Sequence, residues 1–452
     1  MAPKSTWAQH AVEAFVQRSR ARSPSPSGTP ASNGGGNLFE LVRSPTSKVN
    51  RPTRPPNRIT GGTNPPPPST HRRDEDLVVL DASFNPPTVA HTRLLQRALE
   101  RRPTVTLREW MAGAAAFGAS ATANSSNGPG SSSEADHLKS EASILPPSGL
   151  PSFTTGVLLL ATTNADKKLS GASLAQRLAM VDLTSSVITE QLRRNSPSES
   201  QQASSDKADA SGGPRVDLGL TNGARFIDKL RALRDHYFPS TTGDQSVTAQ
   251  CTTTAQADRD DSEHGSPQPH IYFVMGMDTL IRFFDPKYYP DAANADHEAG
   301  ATVKVAANIE NTSPPPATLP LGLQRTMDEF FGPLGGRLVV VLREGAAERQ
   351  LVGYLLPSAR SPTLPASATG TAEGHGAVAI ALRHYAPNVY LMDCAESPEE
   401  ADKLMSMSST KVRQAVARCH STGRSLDTDT DLQSMLTEPV RRYIEVEGLY
   451  WD

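Results

Sequence analysis

Cysteine and long apolar runs are both scarce in this chain, and each scarcity closes off a class of protein. The three cysteines, Cys251, Cys394 and Cys419, stand far apart without paired spacing, which excludes a disulfide framework or a zinc knuckle and fits a reducing compartment. No stretch approaches the about 18 apolar residues of a membrane span, and the N-terminus lacks the apolar core of a secretory signal. "WAQHAVEAFVQRSRAR" reads as a short basic amphipathic helix, but Glu13 argues against an import signal. The expected location is cytoplasmic and/or nuclear. Charge of one sign is also missing: 45 Lys and Arg oppose 48 Asp and Glu. Although the first 75 residues are locally basic, the whole gives no electrostatic reason to expect nucleic acid or an anionic membrane as partner.

What the chain has in excess is proline and glycine, 37 and 32 residues, crowded into stretches rich in Ser, Thr, Ala and Asn. Such stretches bury too little apolar surface to offset the entropy of ordering them. They divide the sequence into a largely disordered N-terminal arm, 1–74, with a lone helix near 10–20, and one domain over 75–452. Low-complexity insertions are expected in that domain near 103–150, 196–215, 240–268, 291–318 and 344–380.

Between the insertions lie apolar runs without alternation: "LVVL", "VLLL", "IYFVM", "RLVVVL" and "NVYLMD". Short continuous runs of this kind read as strands covered on both faces. Helical patterns intervene, such as "ASLAQRLAMVDL" and the spacing of Ala224, Ile227, Leu230 and Leu233. Strand then helix, repeated, predicts an α/β fold: a Rossmann-like parallel sheet of about five strands with helices on both faces. No fixed-period repeat suggests a solenoid or propeller.

In "VVLDASFNPPTVAHTRLL" the first strand leads through "SFNPP" into a helix, with Pro86 and Pro87 suited to its start and His91 in its first turn. Free amides and the positive end of the helix dipole favour an anion there, beside the C-terminal end of a strand. Far downstream, "MSSTKVRQAV" places Ser408 or Ser409 at a helix cap, with Lys411 and Arg413 adding positive charge, a second anion-binding pattern. "SFNPPTVAH" resembles the first signature of the HxGH nucleotidylyltransferase superfamily, with Thr88 in place of its first histidine and Ala82 and Ala90 in place of glycines. "SSTKVR" is similar to the superfamily's distal triphosphate-binding motif, in the correct order along the chain.

Three further segments carry the resemblance. "LLLATTNADKK" resembles the segment after the second strand that supplies a lysine, here Lys167. "GMDTLIRFFDPKYY" is similar to the segment whose G-x-D, here Gly276 and Asp278, contacts adenosine, and "VVVLREG" resembles a strand end that brings an arginine, here Arg343. The aromatic residues Phe283, Phe284, Tyr288 and Tyr289 are expected to pack a core rather than stack on a ligand. Taken together the wording most resembles the fungal nicotinamide mononucleotide adenylyltransferase-like group.

That resemblance implies transfer of AMP from ATP to nicotinamide mononucleotide, giving NAD and pyrophosphate, without a covalent enzyme intermediate. It implies catalytic roles for His91, Lys167 and Arg413, and nucleotide binding by Ser83, Phe84, Thr88, Gly276, Asp278, Arg343, Ser408, Ser409 and Thr410. ATP and nicotinamide mononucleotide are the implied partners, and Mg²⁺ is expected to arrive with ATP, held mostly by phosphates and water and by no protein metal site. Two other readings stay open: a different acceptor or nucleotide, as in cytidylyl or pantetheine phosphate adenylyl transfer, and a regulatory protein that binds nucleotide without turnover.

Overall fold

The computed structural model describes residues 5–21, 38–42, 75–100, 105–113, 153–162, 171–195, 214–239, 268–290, 319–342, 351, 355, 372–393 and 397–451. Among the described residues eight strands form one sheet: β1 (Phe39–Val42), β2 (Leu77–Ala82), β3 (Val105–Thr106), β4 (Thr155–Ala161), β5 (Arg215–Thr221), β6 (Ile271–Gly276), β7 (Gly336–Leu342) and β8 (Val389–Asp393). Their order is β1-β5-β4-β2-β6-β7-β8-β3. The six inner strands run parallel, whereas β1 on β5 and β3 on β8 are antiparallel edges.

Chain order reverses between β2 and β6. From β2 the sheet grows through β4 and β5 on one side and from β6 through β7 and β8 on the other. This is a doubly wound arrangement, and ligands of such sheets bind in the crevice outside the strand C-termini at the reversal. The β2–β6 register pairs Leu80 with Val274, so the two strands end side by side at Ala82 and Gly276.

The core lies on both faces. Along β2, Val78 and Leu80 enter one apolar layer with α1 (Ser5–Ala21), α2 (Val89–Glu100) and α3 (Leu174–Asn195), whereas Leu77 and Val79 enter the other with α4 (Phe226–Tyr237), α5 (Met277–Phe283) and α6 (Leu321–Phe331). The period of two in a strand divides one apolar run between two layers, which is why the sequence shows no polar alternation there. Phe283, Phe284 and Tyr289 are buried in the second layer, as expected, with Phe330, Phe331 and Tyr385.

Several expectations change. The sheet has eight strands rather than about five and is mixed rather than wholly parallel. The N-terminal helix is not a lone element: α1 packs on α3, with Ala8 and Phe15 fully buried, and β1, inside the segment read as an arm, extends the sheet. β3 lies in a stretch read as insertion, as does the start of α7 (Ala372–His384). Helix α2 begins at Val89, so Pro86 and Pro87 occupy the turn before it rather than its first turn.

Candidate functional site

At the tip of β2, Ser83 is exposed and Phe84 turns back into the protein, fully buried, with φ of 44°. The Asn85–Pro86 peptide bond is cis. Thr88 then precedes α2, and its backbone N–H donates to His91 Nδ1 at 3.0 Å. This is a capping box with the histidine at the third helical position in place of the usual Glu or Gln. An amide can only donate, so Nδ1 must accept, and in the neutral ring the proton resides on Nε2. The Thr88 hydroxyl lies 2.9 Å from the same Nδ1. The residue is half-buried, and the protein atoms around the ring push its pKa down to about 4, so at neutral pH His91 is an uncharged Nε2–H donor. Among the described residues that nitrogen has no hydrogen-bond partner.

The distal motif meets the same turn. Ser408 is the cap of α9 (Ser409–Ser421), which follows α8 (Pro398–Ser406), and its hydroxyl accepts from the Lys411 amide. The Ser409 hydroxyl donates to Pro86 O at 2.8 Å and Arg413 donates to Asn85 O at 2.6 Å. The second Arg413 terminal nitrogen bonds the exposed Thr410 hydroxyl at 3.2 Å. More than 320 residues apart in sequence, the two motifs are in direct contact, so two helix N-termini and one guanidinium converge on one turn.

Asp278 lies in the first turn of α5, whose cap is Gly276, and its carboxylate is exposed and caps nothing. Gly276 ends β6 and Asp278 follows two residues later, on the far side of the crevice from β2. Phe84 and Thr88 are placed differently from what a nucleotide-contacting role would need: the Phe84 ring is in the core, 5.3 Å from the His91 ring, and the Thr88 side chain is buried against His91. Both shape the histidine's surroundings. Ala82 and Ala90 have no left-handed backbone, so the conformation at these two positions does not call for glycine. Lys167 and Arg343 lie outside the described residues, and in sequence they follow the ends of β4 and β7.

The structure adds residues that the motifs did not mark. Arg177 on α3 is only 1% exposed, and its Nε donates to Ala172 O at 2.8 Å. Burial lowers its pKa; Tyr450 opposes and Arg413 reinforces that shift. One sequence signal was present: Arg177 shares a helical stripe with buried Val181, Thr184 and Ile188, so a charge stands on an apolar face. The Tyr450 hydroxyl donates to Asn85 Oδ1 at 2.8 Å, a contact no local pattern announces. On the opposite sheet face Lys229 and Asp81 form a nearly buried ion pair at 2.5 Å near the end of β2. Replacing either alone would strand the other charge.

Among the described residues no group of three or more His, Cys, Asp or Glu is placed to hold a metal ion. No described helix is long and apolar enough to cross a membrane.

No family model matches the chain, and no curated protein matches it. Among solved structures it is similar to Plasmodium falciparum nicotinic acid mononucleotide adenylyltransferase complexed with NaAD, with 10% identity and a TM-score of 0.34 over 83% of this chain and 97% of that one. The same figures hold for that enzyme complexed with APC.

Proposed function

We propose that the chain is a nucleotidyltransferase that transfers AMP from ATP to nicotinamide mononucleotide, forming NAD and pyrophosphate. One observation carries the reading: at the reversal point of a doubly wound sheet, His91 is fixed as an Nε2–H donor in a turn that Ser409 and Arg413 bind from another helix N-terminus. The choice of acceptor rests on the wording of "NADKK" and "GMDTLIRFFDPKYY".

A phosphate oxygen of the mononucleotide attacks the α-phosphorus of ATP in line. The bond from that phosphorus to the bridging oxygen breaks, and pyrophosphate leaves with the electron pair. His91 Nε2–H donates to an α- or β-phosphate oxygen where negative charge grows. Arg413, Thr410 and the first-turn amides of α9 hold the outer phosphates, with Lys167 adding a further cation. Asp278 accepts from ribose hydroxyls, and Arg343 is assigned to the nucleotide by its motif alone. Ser83 lines the tip of β2. Mg²⁺ would arrive on ATP, held by phosphate oxygens and water, and would neutralise phosphate charge there.

The test is pyrophosphate release by the purified full chain with ATP and Mg²⁺, offered nicotinamide mononucleotide, nicotinic acid mononucleotide, phosphopantetheine or no acceptor. A dinucleotide formed only with a pyridine mononucleotide is the expected result. Binding of ATP with silence for every acceptor would overturn the reading in favour of a regulatory nucleotide binder. His91→Ala should lower kcat by about 100-fold or more with a much smaller change in ATP affinity, because its bond strengthens as charge develops.

A further inference from the structure

The His91 turn contains a conformation that its own residues disfavour. Phe84 has φ of 44°, in the left-handed region that bulky side chains avoid, and such a residue persists only where its surroundings impose the shape. The ties on the turn include Arg413 on Asn85 O, Ser409 on Pro86 O, and Tyr450 on Asn85 Oδ1. The first two come from the helix of the distal motif. The third comes from beyond the helix Glu438–Glu447, where Tyr450 itself has φ of 62°.

We propose that Tyr450 is a positioning residue for the His91 turn, holding Asn85 so that the helices carrying His91 and Arg413 meet in their working geometry. The inference rests on reading that turn as the nucleotide-handling site. Its burial is built for the contact. Gly171, at φ of 80°, lies beneath the pair, and a Cβ there would stand 3.1 Å from Tyr450 Cε1 and 3.2 Å from Asn85 Oδ1. Arg177 anchors the next residue, Ala172, through its carbonyl and adds its field beside the phenol, as does Arg413. The chain end does not need the Tyr450 hydroxyl to stay in place, because Val440, Ile444 and Leu449 already bury it in the core. The hydroxyl's hydrogen bond goes to the turn.

Full-length Tyr450→Phe and Gly171→Ala break the contact from its two sides. Amide hydrogen exchange at 83–91, melting temperature, ATP affinity and pyrophosphate release are compared with the parent chain. In Tyr450→Phe, exchange at 83–91 should rise about tenfold and kcat fall by a similar factor, as loss of one buried hydrogen bond implies. ATP affinity, melting temperature and exchange at 440–449 should stay nearly constant. Gly171→Ala should reproduce the loosened turn, and adding Tyr450→Phe to it should cause little further change. Unchanged exchange at 83–91 in Tyr450→Phe overturns the proposal. So does loosening that spreads through 440–449 with a collapse in melting temperature, which would mark a structural role only. If the parent chain releases no pyrophosphate the enzymatic reading fails, and the exchange data still decide whether Tyr450 sets the turn.

Discussion

The Thr88 amide decides which nitrogen of His91 carries the proton, and burial of the ring ties protonation to folding. The folded ring has a pKa of about 4 against 6.5 for an unperturbed histidine, so between those values the unfolded chain binds the extra proton. The resulting stability is fully present above pH 6.5 and is lost as pH falls towards 4. Its size is on the order of 2 kcal/mol, given the ring's partial exposure. His91→Gln keeps an acceptor for the Thr88 amide and removes the titration. Urea denaturation at pH 7 and pH 4.5 should show the stability gap between parent and variant shifting by about that amount in the variant's favour at the lower pH. A gap independent of pH would mean that His91 is solvated. At this scale the sequence placed His91 correctly in the first turn of its helix. It could not reveal that Thr88 would be a partner of the histidine, because that depends on the side-chain geometry of the turn.

Strand β5 shows what element boundaries owe to neighbours. "RVDLGLT" begins with Arg215 and Asp217, half-exposed and paired at 3.4 Å, and ends in a buried run. Its apolar residues, Val216, Leu218 and Leu220, are separated by Asp217 and Gly219, so it escapes a reading based on continuous runs. Its outer neighbour β1 is four residues long and sits in low-complexity sequence, where composition argues against order. Gly219 explains the pairing. Phe39 of β1 lies over it, and a Cβ at that position would come within 2.5 Å of the Phe39 ring. Gly219→Ala should therefore destabilise the protein by about 1–3 kcal/mol, through overpacking at the β1–β5 edge. Thermal unfolding would show it, and Phe39→Leu added to the variant should recover part of the loss. No change in melting temperature would mean that β1 does not hold its place on the edge.

Across the whole molecule, the parallel inner strands bring the sequence motifs to one end. His91, Asp278 and the 408–413 segment follow the C-terminal ends of β2, β6 and β8, and the order reverses between the first two strands. A ligand bound there touches both halves of the sheet and should raise global stability. ATP at 100 times its Kd should add about 2.7 kcal/mol. Arg413→Ala should abolish most of that gain by removing phosphate contacts. It should also lower the stability of the free protein by about 1.5–3 kcal/mol, because Asn85 O loses its charged donor. Melting curves with and without ATP separate the two effects. A full ATP-dependent shift in the variant would remove Arg413 from the binding site.

By itself the sequence determined the α/β class, the inner strands with the longest apolar runs, the helix that carries His91 and the serine-capped helix that carries Arg413. These features are local: they follow from apolar periodicity, caps and turn residues within a few positions of one another. Only the tertiary structure decided that β1 and β3 close the sheet as antiparallel edges, that α1 belongs to the core, and that Phe84 and Thr88 face inward. It alone brought Arg177 and Tyr450 to the His91 turn. Apart from the Thr88–His91 contact, which is local, these outcomes depend on contacts between segments far apart in sequence, where the chemistry of either partner alone carries no record of the other.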